Sequence, residues 1–242
     1  LFTEDGFIPE TDIGNETATS LHFHELLGKV VDWVDTSLAD AKAQGLAVYI
    51  VGHQPMTTKK GADELDVEGV HFYRLKDLFT KYAEIIEVGL FGHRNLAGIV
   101  EILSRRFLPL FPSITAPGVS PRGRNQPSFH VLYADKDTGR VQDFEQWIFK
   151  LLDENQKALQ LNDPSYLGVW LRHESGFFSW RTLSGTLEFT AETLQSFLKE
   201  VVHREDLFFA IEKWERAGYI GGDTPESYEC KSLYDKAEPL MN

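Results

Sequence analysis

The sequence predicts an α/β fold, with strands packed between helices and a mainly helical C-terminal appendage. Three observations carry this reading. Two short apolar runs, Leu46–Val51 and Val88–Phe91, have strand length and are separated by a helical stripe. Further strand candidates follow at 97–103, 112–116 and 128–134. Beyond about residue 160, helical periodicity takes over.

Taken in order, residues 1–19 form a polar arm with Gly6, Pro9 and Gly14 and no sustained period. Residues 20–44 carry Leu27, Val30, Val31, Val34, Leu38 and Ala41 at helical spacing, and Gly45 ends the helix. Leu46–Val51 is almost wholly apolar, which suits a buried strand. Residues 54–70 read as a polar loop. A second helix at 71–85 places Phe72, Leu75, Phe79 and Tyr82 on one side. Val88–Phe91 is the next buried strand. Strand, helix, strand makes a βαβ unit, whose strands run parallel because the crossover is long.

Asp137-Thr138-Gly139 is turn chemistry, so 128–148 reads as a hairpin. Thr190 is placed to cap a helix carrying Leu194, Phe197, Leu198 and Val201. A last helix at 205–217 buries Leu207, Phe208, Ile211 and Trp214, with Gly218 as its stop. Residues 219–242 are a polar tail around Cys230. The organisation is thus an arm (1–19), an α/β region (20–160) and an extension (161–242).

Composition narrows the function. The 242 residues are 42% hydrophobic, enough for a real core. A formal net charge of −13 argues against a nucleic-acid partner, which asks for a basic face. No apolar run is long enough to span a bilayer. The chain opens on Leu1 rather than Met, which reads as a mature or cleaved product. Its one cysteine, Cys230, allows no disulfide within the chain and is either free or paired outside it. Asn15-Glu16-Thr17 is a glycosylation sequon, which suits a secreted protein. There is no Gly-x-Ser-x-Gly elbow, P-loop or dinucleotide fingerprint. Trp170, Phe177, Phe178 and Trp180 read as core before they read as a substrate entrance.

Two segments echo each other: Val48-Tyr49-Ile50-Val51-Gly52-His53 and Val88-Gly89-Leu90-Phe91-Gly92-His93. Each is a strand ending in Gly-His. Ligand sites in open α/β sheets gather beyond the carboxyl ends of strands. Glycine allows a sharp turn there, and the imidazole that follows is a natural metal ligand.

Gly52-His53-Gln54-Pro55 resembles the Gly-His-x-Pro motif of the calcineurin-like metallophosphoesterases, in their acid-sphingomyelinase-like and endopolyphosphatase branch. Gly92-His93-Arg94-Asn95 is similar to the Gly-His-x-His motif of that branch. Ser113-Ile114-Thr115 and Asn125-Gln126-Pro127-Ser128-Phe129 resemble the strand and Asn-Pro segment that come next. The resemblance covers roughly residues 20–242. It implies the C-terminal part of a layered α/β sandwich and a hydrolase of phosphodiesters, sphingomyelin-type phospholipids or polyphosphate.

It also implies a site shared by two divalent metal ions, zinc first among them, with His53 and His93 as ligands of one. Asn95 stands where the family has the histidine that binds the other, so one metal or none is expected. Arg94 beside it is placed to meet a substrate phosphate. The remaining ligands belong to upstream motifs absent before His53, so an N-terminal segment or companion chain is expected to complete the fold. The alternative is a catalytically degenerate relative, kept as a structural or binding subunit. The resemblance further suggests a secreted, extracellular or lysosome-like location and a disulfide from Cys230 to a partner outside this chain.

Overall fold

The computed structural model describes residues 16–56, 69–121, 125–172 and 179–215. Helix α1 (Glu16–Ala43) leads into strand β1 (Val48–Val51), helix α2 (Gly69–Lys81) and, after a short 3-10 turn, strand β2 (Ile86–Phe91). Strands β3 (Gly98–Leu103) and β4 (Pro109–Thr115) complete a four-stranded sheet in the order β1-β2-β4-β3. β1, β2 and β4 run parallel, and β3 returns antiparallel to β4. Strands β5 (Ser128–Ala134), β6 (Val141–Phe149) and β7 (Trp170–Arg172) form a second, antiparallel sheet. Helices α3 (Leu151–Leu161), α4 (Trp180–Ser184), α5 (Ala191–Val202) and α6 (Glu205–Glu215) supply the rest.

Each face of the first sheet buries its own core. On one side Val31 and Leu38 of α1 and Phe72, Leu75 and Phe79 of α2 pack on Phe91, Ile102 and Phe111. On the other, Val88 and Ile114 meet Phe144 of β6, Trp180 of α4, Leu194 and Phe197 of α5, and Trp214 of α6. The result is a layered α/β arrangement consistent with a metallophosphoesterase-type fold, with α1 and α2 on one face of the first sheet and β6 and helices α4–α6 on the other. No helix among the described residues is long and apolar enough to cross a membrane.

Three expectations need correction. Helix α1 begins at Glu16, inside the stretch read as an arm. Its first residues are polar, so they add nothing to an apolar stripe, and periodicity cannot see where the helix starts. β1 is not a buried strand: Tyr49 is 37% and Val51 57% exposed. It lies at the end of its sheet, and among the described residues it pairs only with β2. An apolar run alone does not distinguish an inner strand from an edge strand.

The third correction concerns 150–185, which holds elements the periodicity did not show. In α3 the apolar Leu152, Leu159 and Leu161 face outward, while Glu154 is the buried residue. Its carboxylate accepts from the Tyr166 hydroxyl and from the Val169 backbone, and pairs with Lys157. β7 and α4 are too short to carry a period.

Thr190 does cap α5. Its hydroxyl accepts from the Thr193 backbone, and the Thr193 hydroxyl accepts from the Thr190 backbone, a reciprocal capping box. Thr190→Ala is expected to cost about 1 kcal/mol, read by urea denaturation. An unchanged midpoint would remove this cap from the account.

Candidate functional site

The site begins with register. In the parallel pair β1–β2, Val51 stands opposite Leu90. The ladder then continues past both strands: Gly52 N–H donates to Leu90 O at 3.0 Å, and Gly92 N–H donates to His53 O at 2.9 Å. The two Gly-His elements therefore leave the sheet side by side at its carboxyl edge. A Cβ on Gly92 would sit 3.7 Å from His53 O and 3.9 Å from His53 Nδ1, so the loops run in van der Waals contact.

The rings meet. His93 Nδ1 lies 3.1 Å from His53 Nε2, with ring centroids 5.0 Å apart and planes at 81°. Both histidines are exposed to solvent. At 3.1 Å one nitrogen carries a proton and the other accepts it, unless something replaces that proton. Two imidazole nitrogens on one tetrahedral metal, each about 2.0–2.1 Å from it, stand about 3.4 Å apart. The observed spacing is within a few tenths of an ångström of that bite, so the pair fits two positions of a metal centre. Among the described residues, no group of three or more His, Cys, Asp or Glu side chains gathers in metal-ligand geometry.

The loop after β2 is held by its backbone. His93 (φ 69°) and Asn95 (φ 56°) both occupy the left-handed region, which non-glycine residues adopt at a cost of about 1–3 kcal/mol. The loop therefore needs fixing from outside. Ala116 N–H donates to Phe91 O, and Gly118 N–H donates to Asn95 O. The buried Asn125 amide donates to the same Asn95 carbonyl at 2.6 Å. Gly118 is required here, because a Cβ on it would lie 2.9 Å from Asn95 Oδ1 and 3.0 Å from Asn95 Cβ.

The structure thus brings His53 and His93 together and seats Asn95 in the same loop. The half-buried Asn95 side chain lies over Gly118, and its amide makes a long 3.4 Å contact to His93 O. Arg94 is half-buried between them in sequence. Asn15, Cys230, Gly218, Phe177 and Phe178 lie outside the described residues. Trp180 is fully buried core.

Sequence reading missed the supports. Asn125 stood in a recognised segment without a role, and Gly118 carried no motif. Only the loop's positive φ angles and close packing reveal what these two residues do.

No family profile matches the chain. Curated relatives do. The cyclic GMP-AMP phosphodiesterase of Bos taurus is 26% identical over 134 residues, 52% of this chain and 30% of its own length. The Homo sapiens protein of the same name is 22% identical over 143 residues, 56% of this chain and 32% of its own. Acid sphingomyelinase-like phosphodiesterase 3b of Homo sapiens is 27% identical over 142 residues, 54% of this chain and 31% of its own. The match takes in about a third of each relative and about half of this chain. Over about half its length the chain is similar in sequence to acid-sphingomyelinase-like phosphodiesterases, and its layered α/β architecture is consistent with a metallophosphoesterase-type fold.

Proposed function

We propose that the chain carries part of a metal-dependent phosphodiester-hydrolysing centre, with His53 and His93 as ligands of one divalent ion. The observation that carries this reading is the 3.1 Å approach of their ring nitrogens at the carboxyl edge of the parallel strands. The relatives, all named as phosphodiesterases, support the reaction class. Bound there, zinc or a similar ion would polarise a phosphoryl oxygen and lower the pKa of a bound water.

The protein's own part is positional. The Gly52–Leu90 and Gly92–His53 bonds hold the two imidazoles at the spacing a shared ion requires. Arg94 would meet a phosphate oxygen, as a charge-assisted donor. Asn95, if it contributes, offers only an amide oxygen, a weaker donor to zinc-like metals than imidazole.

The remaining ligands would come from another segment or a companion chain. A secreted or lysosome-like location follows from the same reading, as does a Cys230 disulfide to that partner.

The second reading is a degenerate relative that binds without turning over. Asn95 favours it, because it replaces the imidazole expected for a second metal. Asn95→His separates the two. Metal content is measured on the full-length protein and the variant, with hydrolysis of a chromogenic phosphodiester assayed in parallel. The degenerate reading expects about one metal or fewer in the natural protein, and a gain in Asn95→His. Two metals with brisk turnover in the unmodified protein would refute it in favour of an intact enzyme.

A further inference from the structure

The core between the second sheet and the C-terminal helices holds polar groups that it leaves unsatisfied. His130 of β5 stands directly opposite Gln146 of β6, and Ser128 lies two residues earlier on the same face of β5. Gln146 and Ser128 are wholly buried. Neither ring nitrogen of His130 has a hydrogen-bond partner among the described residues, and the Gln146 carbonyl oxygen has none either. Gln146 Nε2 makes only a long 3.5 Å contact to the Ser128 hydroxyl.

His130 as a residue is half-buried, yet both its ring nitrogens are sealed from water, and a proton adds only there. The ring lies flat on Trp214 of α6, with centroids 5.5 Å apart and planes 2° from parallel, and tilts against Phe144 at 5.6 Å. Trp214 also meets Phe144 at 5.9 Å, so one indole fastens α6 to both β5 and β6. Leu207 and Ala210 of the same helix are buried as well. α6 belongs to neither sheet, so it can lift without breaking a strand ladder.

We propose that His130 is an acid-sensitive latch: protonation of its ring breaks the stack on Trp214 and releases α6 from the second sheet. Neutral imidazole has one N–H, whereas imidazolium has two and a full charge. Across the strand pair the unfilled acceptor is the Gln146 carbonyl oxygen, and one oxygen cannot reach both ring nitrogens. The face of Trp214 attracts a cation, but in a parallel stack it takes no hydrogen bond from N–H groups lying in the ring plane. The charged ring therefore needs water, and Trp214 is the group that covers its face.

No neighbouring charge offsets this. β5 faces the ring with Ser128 and Leu132, β6 with Phe144 and Gln146, α6 with Trp214, and β2 and β4 with apolar residues. Among the described residues no charged group contributes, and burial alone lowers the His130 pKa from 6.5 to about 3. A histidine whose folded pKa is depressed stabilises the closed form above its unfolded pKa, and that stability is lost as pH falls from about 6.5 towards 3. The open form of α6 should gain about ten-fold by about pH 5.5 and about a hundred-fold by about pH 4.5.

Hydrogen exchange of the full chain, expressed as protection factors between about pH 7.5 and about pH 4.5, tests the latch. Protection across α6 should fall about a hundred-fold further than that across β5 and β6. His130→Gln keeps a polar side chain but takes no proton, and it should hold α6 protection within about two-fold over the same range. His130→Phe is the second variant, retains the ring stack and should behave alike. Constant α6 protection in the natural chain would overturn the latch. An equal acid loss in both variants would overturn it too, by placing the effect on other titrating groups. So would simultaneous loss across β5, β6 and α6, which is global acid unfolding rather than release of one helix.

Discussion

Trp180→Ala is expected to lower the unfolding free energy by about 3–5 kcal/mol, the usual cost of removing a buried large aromatic. Trp180 is wholly buried. It packs edge-on against Phe189 at 4.9 Å and Phe197 at 5.2 Å, and faces Phe144 at 6.5 Å. Its indole N–H donates to Glu188 O at 2.8 Å, so truncation also orphans a carbonyl. These contacts join β6 to the α4–α5 layer, and a collapse that filled the space would have to move both. Domains of this kind are stable by only about 5–15 kcal/mol, so the variant should lose a large share of its margin. Urea denaturation reads the loss. A cost below about 1 kcal/mol would mean that this cluster does not hold the second sheet to its helices.

His53→Ala and His93→Ala should each abolish metal binding at the strand edge. Removing an outer-shell partner typically costs about 10–100-fold in affinity, and removing one of two imidazole donors should cost at least about 100-fold. The folds should survive, because both side chains are exposed and neither is part of a core. Affinity should also fall on acidification, because imidazole binds a metal only in its neutral form and added protons compete for its lone pair. Isothermal titration with zinc checks both effects. Equal affinity in either variant would place the metal elsewhere.

How much of this was legible in the sequence depends on the signal each element carries. β2 and β4 read clearly because their residues are buried on both faces. Thr190 read clearly because a cap is local chemistry. The two Gly-His elements were legible as a pair because parallel neighbours linked by one crossover must finish at the same edge. α3 was not legible, since its leucines face outward and a buried glutamate holds it in place. β1 was misread as buried because its composition does not report which strands lie beside it. Asn125 and His130 stayed silent for a different reason. Each acts through residues 30 or more positions away in the chain, Asn95 and Trp214, which only the fold brings near.

The most direct test of the central claim is zinc titrated into the chain while the ring nitrogens of His53 and His93 are observed together by NMR. If they share one ion, both rings change in step and saturate at a single equivalent, with the inter-ring hydrogen bond lost. If neither ring responds, or only one does, the pair is not a metal centre, and the 3.1 Å contact is no more than a hydrogen bond between two surface histidines.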